Sequence, residues 1–379
     1  MNDRQRFLAT MHYQPRDRAP LYDFNFWDET VPAWHGQGLP THFDRKNVRE
    51  YFGLDSSLGG GEPEDWGTGT NYELCPGFKE TVLDDSGDVY TMIQSDGVIV
   101  RRQRSSVSIP MHVGHTLVDR SSWREHYLPK LDPTTPARFP LDWERRMQVF
   151  RDPNRSHPVF VNGGSLFGWI RDWMGMENVA LAVYDDPAWF EEMVTTCADL
   201  QIALLTRIFA TGGQFDGCSM WEDMCYNAGP LLSPTHFKQF LVPHYRRITD
   251  LCRAHGVDVI WVDCDGKIDS LLPLWLDAGV NCMFPIEVGT WQADPIALRR
   301  KFGRNLLMMG GFDKHILQRD ADAIRSEIKR LTPLVDEGGF IPMPDHRVPP
   351  DVPLENYRVY VRAAREIWGK GVNLKSIGF

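Results

Sequence analysis

The chain reads as an α/β protein on a parallel sheet, a (β/α)8 TIM barrel, and three observations predict it. From about residue 157 to the C-terminus, short β-branched or apolar runs alternate with amphipathic stretches of helical length. The joints carry helix-start chemistry: Asp186-Pro187, Ser233-Pro234 and Asp294-Pro295 each set a capping side chain before an N1 proline. Roughly six such units, preceded by a strand at 19–26, favour a closed barrel over an open sheet.

In order, the pattern predicts strands at 157–164, 215–224, 257–265, 280–288, 306–310 and 340–346. Helices are predicted at 189–210, 234–256, 267–278, 294–303, 321–337 and 353–368, several of them stopped by glycine. No Gly-x-Gly-x-x-Gly follows a strand, which argues against dinucleotide binding. Residues 75–110 break the rhythm. Three β-rich runs separated by Asp85-Ser-Gly-Asp88 and Ser95-Asp-Gly97 predict an antiparallel meander. It is expected to be an excursion near the barrel mouth, inside a single domain spanning 1–379.

Composition excludes several functions. Lys+Arg number 41 against 51 Asp+Glu, a net charge of −10, so clustered phosphate neutralisation of nucleic acid is not expected. No apolar run approaches the roughly 18 residues of a membrane span. The opening Met-Asn-Asp-Arg lacks the apolar stretch of a secretory signal. Seven cysteines with no Cys-x2-Cys pair suggest neither a disulfide framework nor a zinc ribbon. A soluble, cytoplasmic protein is expected.

In a parallel barrel the loops after the strands carry the chemistry, so polar residues ending each predicted strand matter most. These are Asn162, Glu222 with Asp223, Asp263 with Asp265, Glu287, Asp313, and Asp345 with His346. Alternation puts Asp263 and Asp265 on one side and Cys264 on the other. Converging acids are costly without a cation or protons, which points to a metal or to carboxyls of raised pKa. Helix capping is the plainer role for any one of them, Asp313 and Asp345 above all. His346 lies in a proline-rich, stiff loop, which favours function over core filling. Phe24, Trp27, Trp169, Trp221 and Tyr226 are the candidate walls of a pocket for a ring-bearing ligand. Arg16, Arg18 and the run Arg101-Arg102-Gln103-Arg104 could meet a carboxylate, with solvated surface the favoured alternative. Cys264 and Cys282 are read as small buried thiols.

At this point the chain resembles the uroporphyrinogen decarboxylase superfamily over nearly its whole length. The resemblance rests on Arg4-Gln-Arg-Phe-Leu-Ala-Thr-Met11, Pro15-Arg-Asp-Arg-Ala-Pro20, Trp221-Glu-Asp-Met224 and Gly229-Pro-Leu-Leu-Ser-Pro234. Phe240-Leu-Val-Pro243, Asp263-Cys-Asp-Gly266, Gly310-Gly-Phe-Asp-Lys314, Pro344-Asp-His346 and Glu355-Asn-Tyr357 complete it. It implies a TIM barrel that either decarboxylates uroporphyrinogen or moves methyl groups to and from corrinoids. The decarboxylase branch's Arg-Gln-Ala-Gly-Arg segment is absent; Phe24-Asn-Phe-Trp-Asp-Glu29 occupies that region. The methyltransferase branch holds zinc through His-x-Cys and a distant Cys. Here Asp263 stands at the His position, Asp265 at the first Cys, and His346 near the last.

The resemblance therefore implies a corrinoid-dependent methyltransferase that demethylates a small methoxylated or otherwise methylated substrate. Asp263, Asp265, Glu222 and His346 are the expected catalytic residues. Asp263, Asp265, His346 and Glu287 would ligate zinc or another divalent metal. Carboxylate and imidazole donors suit an oxygen leaving group better than a thiol. The implied partner is a separate corrinoid (cobalamin) protein that carries the methyl acceptor, with no nucleic acid or membrane; a homodimer stays open. A decarboxylase of another carboxylated substrate, a barrel hydrolase or lyase, and a non-catalytic ligand-binding barrel are the alternatives.

Overall fold

The computed structural model describes residues 1–57, 67–105 and 109–369. Among the described residues, fourteen strands are numbered in chain order. The short pair β1 (Tyr22–Asp23) and β2 (Ser56–Ser57) is parallel. An antiparallel sheet follows: β3 (Thr81–Asp85), β4 (Val89–Ile93), β5 (Val98–Gln103) and β6 (Met111–His115), in that spatial order. Next come β7 (Phe160–Gly164), β8 (Gly217–Trp221) and the hairpin of β9 (Cys225–Tyr226) and β10 (Gly229–Pro230). The last four are β11 (Ile260–Asp263), β12 (Cys282–Ile286), β13 (Leu307–Phe312) and β14 (Phe340–Pro344).

Six of these form one parallel sheet in the order β14-β13-β12-β11-β8-β7. Each crossover carries helix, among them Pro187–Phe209, Val242–Ala254, Pro295–Phe302 and Ala321–Glu337. Beyond β14 the chain start takes the next place: β1 packs beside β14, and Phe26 bridges Val348 in parallel. On the other side Gly67 bridges Phe160 of β7 in parallel. Parallel neighbours thus stand at both edges of the six-stranded sheet, an arrangement compatible with a (β/α)8 barrel.

The hydrophobic pattern says the same. Alternate residues Tyr22, Phe24, Phe160, Trp261, Phe284, Met309 and Met343 form a core of their own, with Phe7 and Met11 of the helix Asp3–Met11 in the same cluster. The intervening residues, such as Val161, Cys218, Val262 and Met308, join the larger core under the surrounding helices. Two cores divided by strand parity are what a closed sheet produces. Trp261, read from sequence as core, stands inside the barrel against Phe160, with ring centroids 4.9 Å apart.

The structure adjusts several boundaries. The meander occupies Thr81–His115, with β6 as a fourth strand. Residues 106–108, inside the predicted excursion, lie outside the described residues. The helix predicted at 234–256 is divided: a wider turn at Phe237–Leu241 precedes Val242–Ala254. The segment 267–278 contributes only the short helix Leu272–Asp277. Among the described residues, no helix is long and apolar enough to cross a membrane.

Trp261→Ala should cost about 3–5 kcal/mol, because it empties a space in the inner apolar cluster against Phe160. Urea unfolding should show a lowered midpoint with little change in slope.

Candidate active site at the barrel mouth

Strand β8 ends in two acids, and the pleat gives them opposite work. Glu222 is fully buried on the helix side. Its carboxylate accepts from the backbone N–H of Leu166, Phe167 and Gly168 at 2.8, 2.9 and 2.9 Å. The Ser165 hydroxyl donates at 3.0 Å and the Tyr245 hydroxyl at 2.6 Å. Five donors on one carboxylate make it the anchor of the loop after β7 and of the first turn of the helix Gly168–Met174. Burial pushes its pKa up, and these donors pull it back. Glu222, expected among the catalytic acids, thus has its lone pairs engaged away from the mouth. Gly168 is required here, since a Cβ would come within 2.6 Å of the Glu222 carbonyl oxygen.

Asp223 faces the other way. Its backbone takes φ 40°, a left-handed conformation that Asp adopts more readily than most residues. The turn lets Oδ1 accept the Asp265 N–H at 3.1 Å. Asp223, Asp263 and Asp265 then present carboxylate oxygens all within 4.8 Å of one another. Burial pushes the Asp223 pKa up to about 6, the Asp265 charge adds to this, and the Asp265 N–H and the Arg171 guanidinium oppose it. Burial also drives Asp263 well above the ordinary carboxylate range, with Asp223 and Asp265 reinforcing and Arg347 opposing. At neutral pH this group shares protons or holds a cation.

His346 stands at the rim of the trio, with Nε2 3.3 Å from Asp265 Oδ2. Asp265 Oδ1 and His346 Nδ1 are buried and find no hydrogen-bond partner among the described residues. Two orphaned ligand-type atoms beside three converging carboxylates fit a divalent cation. The donor set differs from the expected one. Asp223 joins Asp263 and Asp265, while His346 reaches only Asp265.

Glu287, expected as a ligand, is instead buried and engaged: it accepts from the Gly266 N–H at 2.6 Å and the Thr290 hydroxyl at 2.7 Å. That bond fixes the turn after Asp265. Gly266 has φ 85°, and a Cβ there would sit 2.5 Å from the Cys225 carbonyl oxygen. Asp345 caps, as the plainer reading had it. It accepts from Val288, Gly289 and Lys314 N–H groups at 2.8, 2.9 and 2.9 Å, joining the loops after β12 and β13. Asp313 likewise accepts the His315 N–H at 2.9 Å.

The aromatic candidates divide. Phe24 meets His346 edge-on at 4.9 Å and Phe284 at 4.6 Å, and Trp27 lies 5.9 Å from His346. These two wall the site. Trp221 ends β8 in register with Asp263, under the Arg171 guanidinium at 5.4 Å. Trp169 is buried and stacks on Trp173, so it belongs to the core under the helices. Tyr226 is 64% exposed on the β9–β10 hairpin, outside the aromatic wall. Cys264 and Cys282 are buried, and burial raises both thiols. Arg18 is committed to Asp55 and Arg104 to Asp85, each at 2.6 Å, so neither is free for a ligand.

A barrel-like α/β fold on a parallel sheet, with acids gathered at the strands' C-terminal ends, defines the class: α/β proteins whose site is built from the loops after the strands. The family follows. Residues 151–367 match the uroporphyrinogen decarboxylase (URO-D) family, and the chain belongs to it. Uroporphyrinogen decarboxylase of Legionella pneumophila is 24% identical over 140 residues, 37% of this chain and 39% of that protein. The enzyme of Hydrogenovibrio crunogenus is 23% identical over 202 residues, 50% and 52% of the two chains. The chain thus matches about 39 to 52% of these relatives' length. A methyltransferase from Methanosarcina mazei superposes with a TM-score of 0.60 at 16% identity, covering 97% of this chain and 99% of that one, and so shares the fold.

The two neighbouring acids should respond oppositely to removal. Glu222→Ala strands several buried donors and should cost at least about 3 kcal/mol in urea unfolding. Asp223→Asn relieves crowding. A carboxyl whose folded pKa lies above its unfolded value binds its proton more tightly when folded, so stability falls as pH rises through the interval from 3.8 to about 6. In chelator-treated protein, Asp223→Asn should therefore melt above wild type at pH 7–8. The difference should vanish below about pH 4.

Proposed function

We propose that the protein is a methyltransferase that takes a methyl group from the oxygen of a small methoxylated compound and passes it to a reduced corrinoid on a separate partner protein. The observation that carries this reading is the convergence of Asp223, Asp263 and Asp265, with His346 against Asp265, beside the apolar wall of Phe24 and Trp27. No thiol joins the trio, since Cys264 points away into the core. Oxygen and nitrogen donors suit an oxygen leaving group. The fold shared with the Methanosarcina mazei methyltransferase is consistent with it.

Breaking an ether C–O bond leaves an alkoxide or phenoxide that must be neutralised. Asp223, with its proton affinity raised, is placed to hold a proton near neutrality and deliver it to that oxygen. Asp263 would help keep the proton in the cluster, and Asp265 with His346 would orient it. In place of that proton, a divalent metal held by Asp223, Asp263 and Asp265, zinc by resemblance or a harder ion by donor type, would supply Lewis-acid polarisation of the same oxygen. The corrinoid supplies a nucleophile stronger than any side chain here. Phe24 and Trp27 exclude water from the apolar part of the donor. A cytoplasmic setting is part of this proposal, since seven buried cysteines remain free thiols.

A second reading follows from the relatives named uroporphyrinogen decarboxylase. The same proton-holding acids could quench the carbanion left by loss of carbon dioxide. One experiment separates the two. Protein purified without chelator is mixed with cob(I)alamin and a panel of methyl ethers, and the loss of cob(I)alamin absorbance is followed. Wild type should consume it with at least one ether, and Asp265→Ala and His346→Ala should lower the rate at least 100-fold while keeping the fold. Elemental analysis of the same samples should give near-stoichiometric metal in wild type and a loss in Asp265→Ala. No consumption with any ether, alongside carbon dioxide release from a carboxylated substrate, would establish the decarboxylase reading instead.

A further inference from the structure

Arg347 follows His346 in the stiff loop and is absorbed by neither the trio nor its anchors. Its guanidinium carbon lies 5.5 Å from the centre of the Trp27 ring, the ring that also faces His346 at 5.9 Å. One indole therefore has the imidazole and the guanidinium as neighbours. Arg347 is partly buried and makes no ion pair or hydrogen bond among the described residues. Other arginines in the protein are committed: Arg18 to Asp55, Arg155 to Asp216, Arg120 to Asp186 and Glu192.

Its position is held from both sides. Asp345 is tied to three backbone N–H groups. Val348 donates to the Asn25 carbonyl oxygen and accepts from the Trp27 N–H, each at 3.1 Å, and from the Thr30 hydroxyl at 2.8 Å. The guanidinium thus projects from a pinned backbone against the aromatic wall of the site. It does not reach Asp263 for a salt bridge, although its charge is felt there. A guanidinium held against the Trp27 ring with no carboxylate of its own keeps its planar fork of N–H donors open to a bidentate acceptor on a ligand.

We propose that Arg347 is the specificity-determining residue of this site and that it binds a carboxylate on a ring-bearing ligand lying against Trp27. The ligand's two ends are then told apart electrostatically. Its anionic end is drawn to Arg347, and the acidic trio repels that end and accepts the neutral ether end. The flat ring fits between, against Phe24 and Trp27. This names the substrate class of the proposed reaction and rests on that reading for the position of the methoxyl group, but the carboxylate contact requires no turnover.

The test is titration calorimetry without corrinoid, with 4-methoxybenzoate and its neutral counterpart 4-methoxybenzyl alcohol as probes. Wild type should bind the carboxylate at least about tenfold more tightly than the alcohol. Arg347→Met should bring the ratio to about one, and Arg347→Lys should keep part of it, because a point charge replaces a planar fork. If Arg347→Met fails to fold by circular dichroism, Arg347→Lys carries the test through a several-fold drop in the ratio. Equal binding of the two probes by wild type, no binding of the carboxylate, or a ratio unchanged in the variants overturns the proposal. A ratio that behaves as stated in a protein that never consumes cob(I)alamin would retain Arg347 as the anchor and remove the methyl-transfer reading.

Discussion

The mouth of this barrel depends on one buried carboxylate. Glu222 gathers five donors from three parts of the chain: the loop after β7, the first turn of the helix Gly168–Met174, and Tyr245 in the helix Val242–Ala254. Charged acceptors bind such donors more strongly than neutral ones, and a site without water magnifies the difference. With Glu222 locked on the outside of the sheet, the next residue has no choice of side. Asp223 must turn into the mouth, and its left-handed backbone is held by the bond to the Asp265 N–H. The strain of that conformation, on the order of 1–2 kcal/mol, is offset by what the anchor secures.

The same division of labour recurs around the ring. Glu287 holds the turn that follows Asp265, and Asp345 holds the two loops on either side of His346's strand neighbour β13. Anchoring acids accept from backbone N–H groups and are spent. Site acids stand one pleat away, crowd one another, and keep unused lone pairs. The acids with the fewest partners are thus the ones left open to a ligand.

Sequence made the architecture legible because helix starts, glycine stops and alternating runs all report local geometry. The meander was readable from its Asp-Gly and Ser-Gly turns, but its strand Met111–His115 was not, since no Gly, Asn or Asp in residues 104–110 marks a turn between it and β5. The site was half legible. Asp263, Asp265 and His346 were found because they end strands, and their gathering follows from barrel closure. Asp223 was noted beside Glu222, yet choosing between them required knowing which one the backbone of residues 166–168 would claim. The period-two pleat counted outward from Cys218 and Met220, both in the outer core, supplies that signal: Glu222 has their parity and Asp223 does not. Trp169 could not be told from a pocket wall by composition, because both uses place an aromatic near a strand end.

Asp345 has one further consequence. By binding N–H groups from the loops after β12 and β13 at once, it makes those loops and the His346–Arg347 segment a single stiff jaw. Elsewhere the site side of the chain carries the two-stranded β9–β10 hairpin with exposed Tyr226 and a separate antiparallel sheet whose strand Thr81–Asp85 is exposed throughout. A barrel so constructed is asymmetric in its capacity for change. New ligand shapes can be accommodated by redrawing the hairpin side, residue by residue, while the jaw keeps its charges in place. Descendants of such a chain would diverge in what they hold before they diverge in how they grip it.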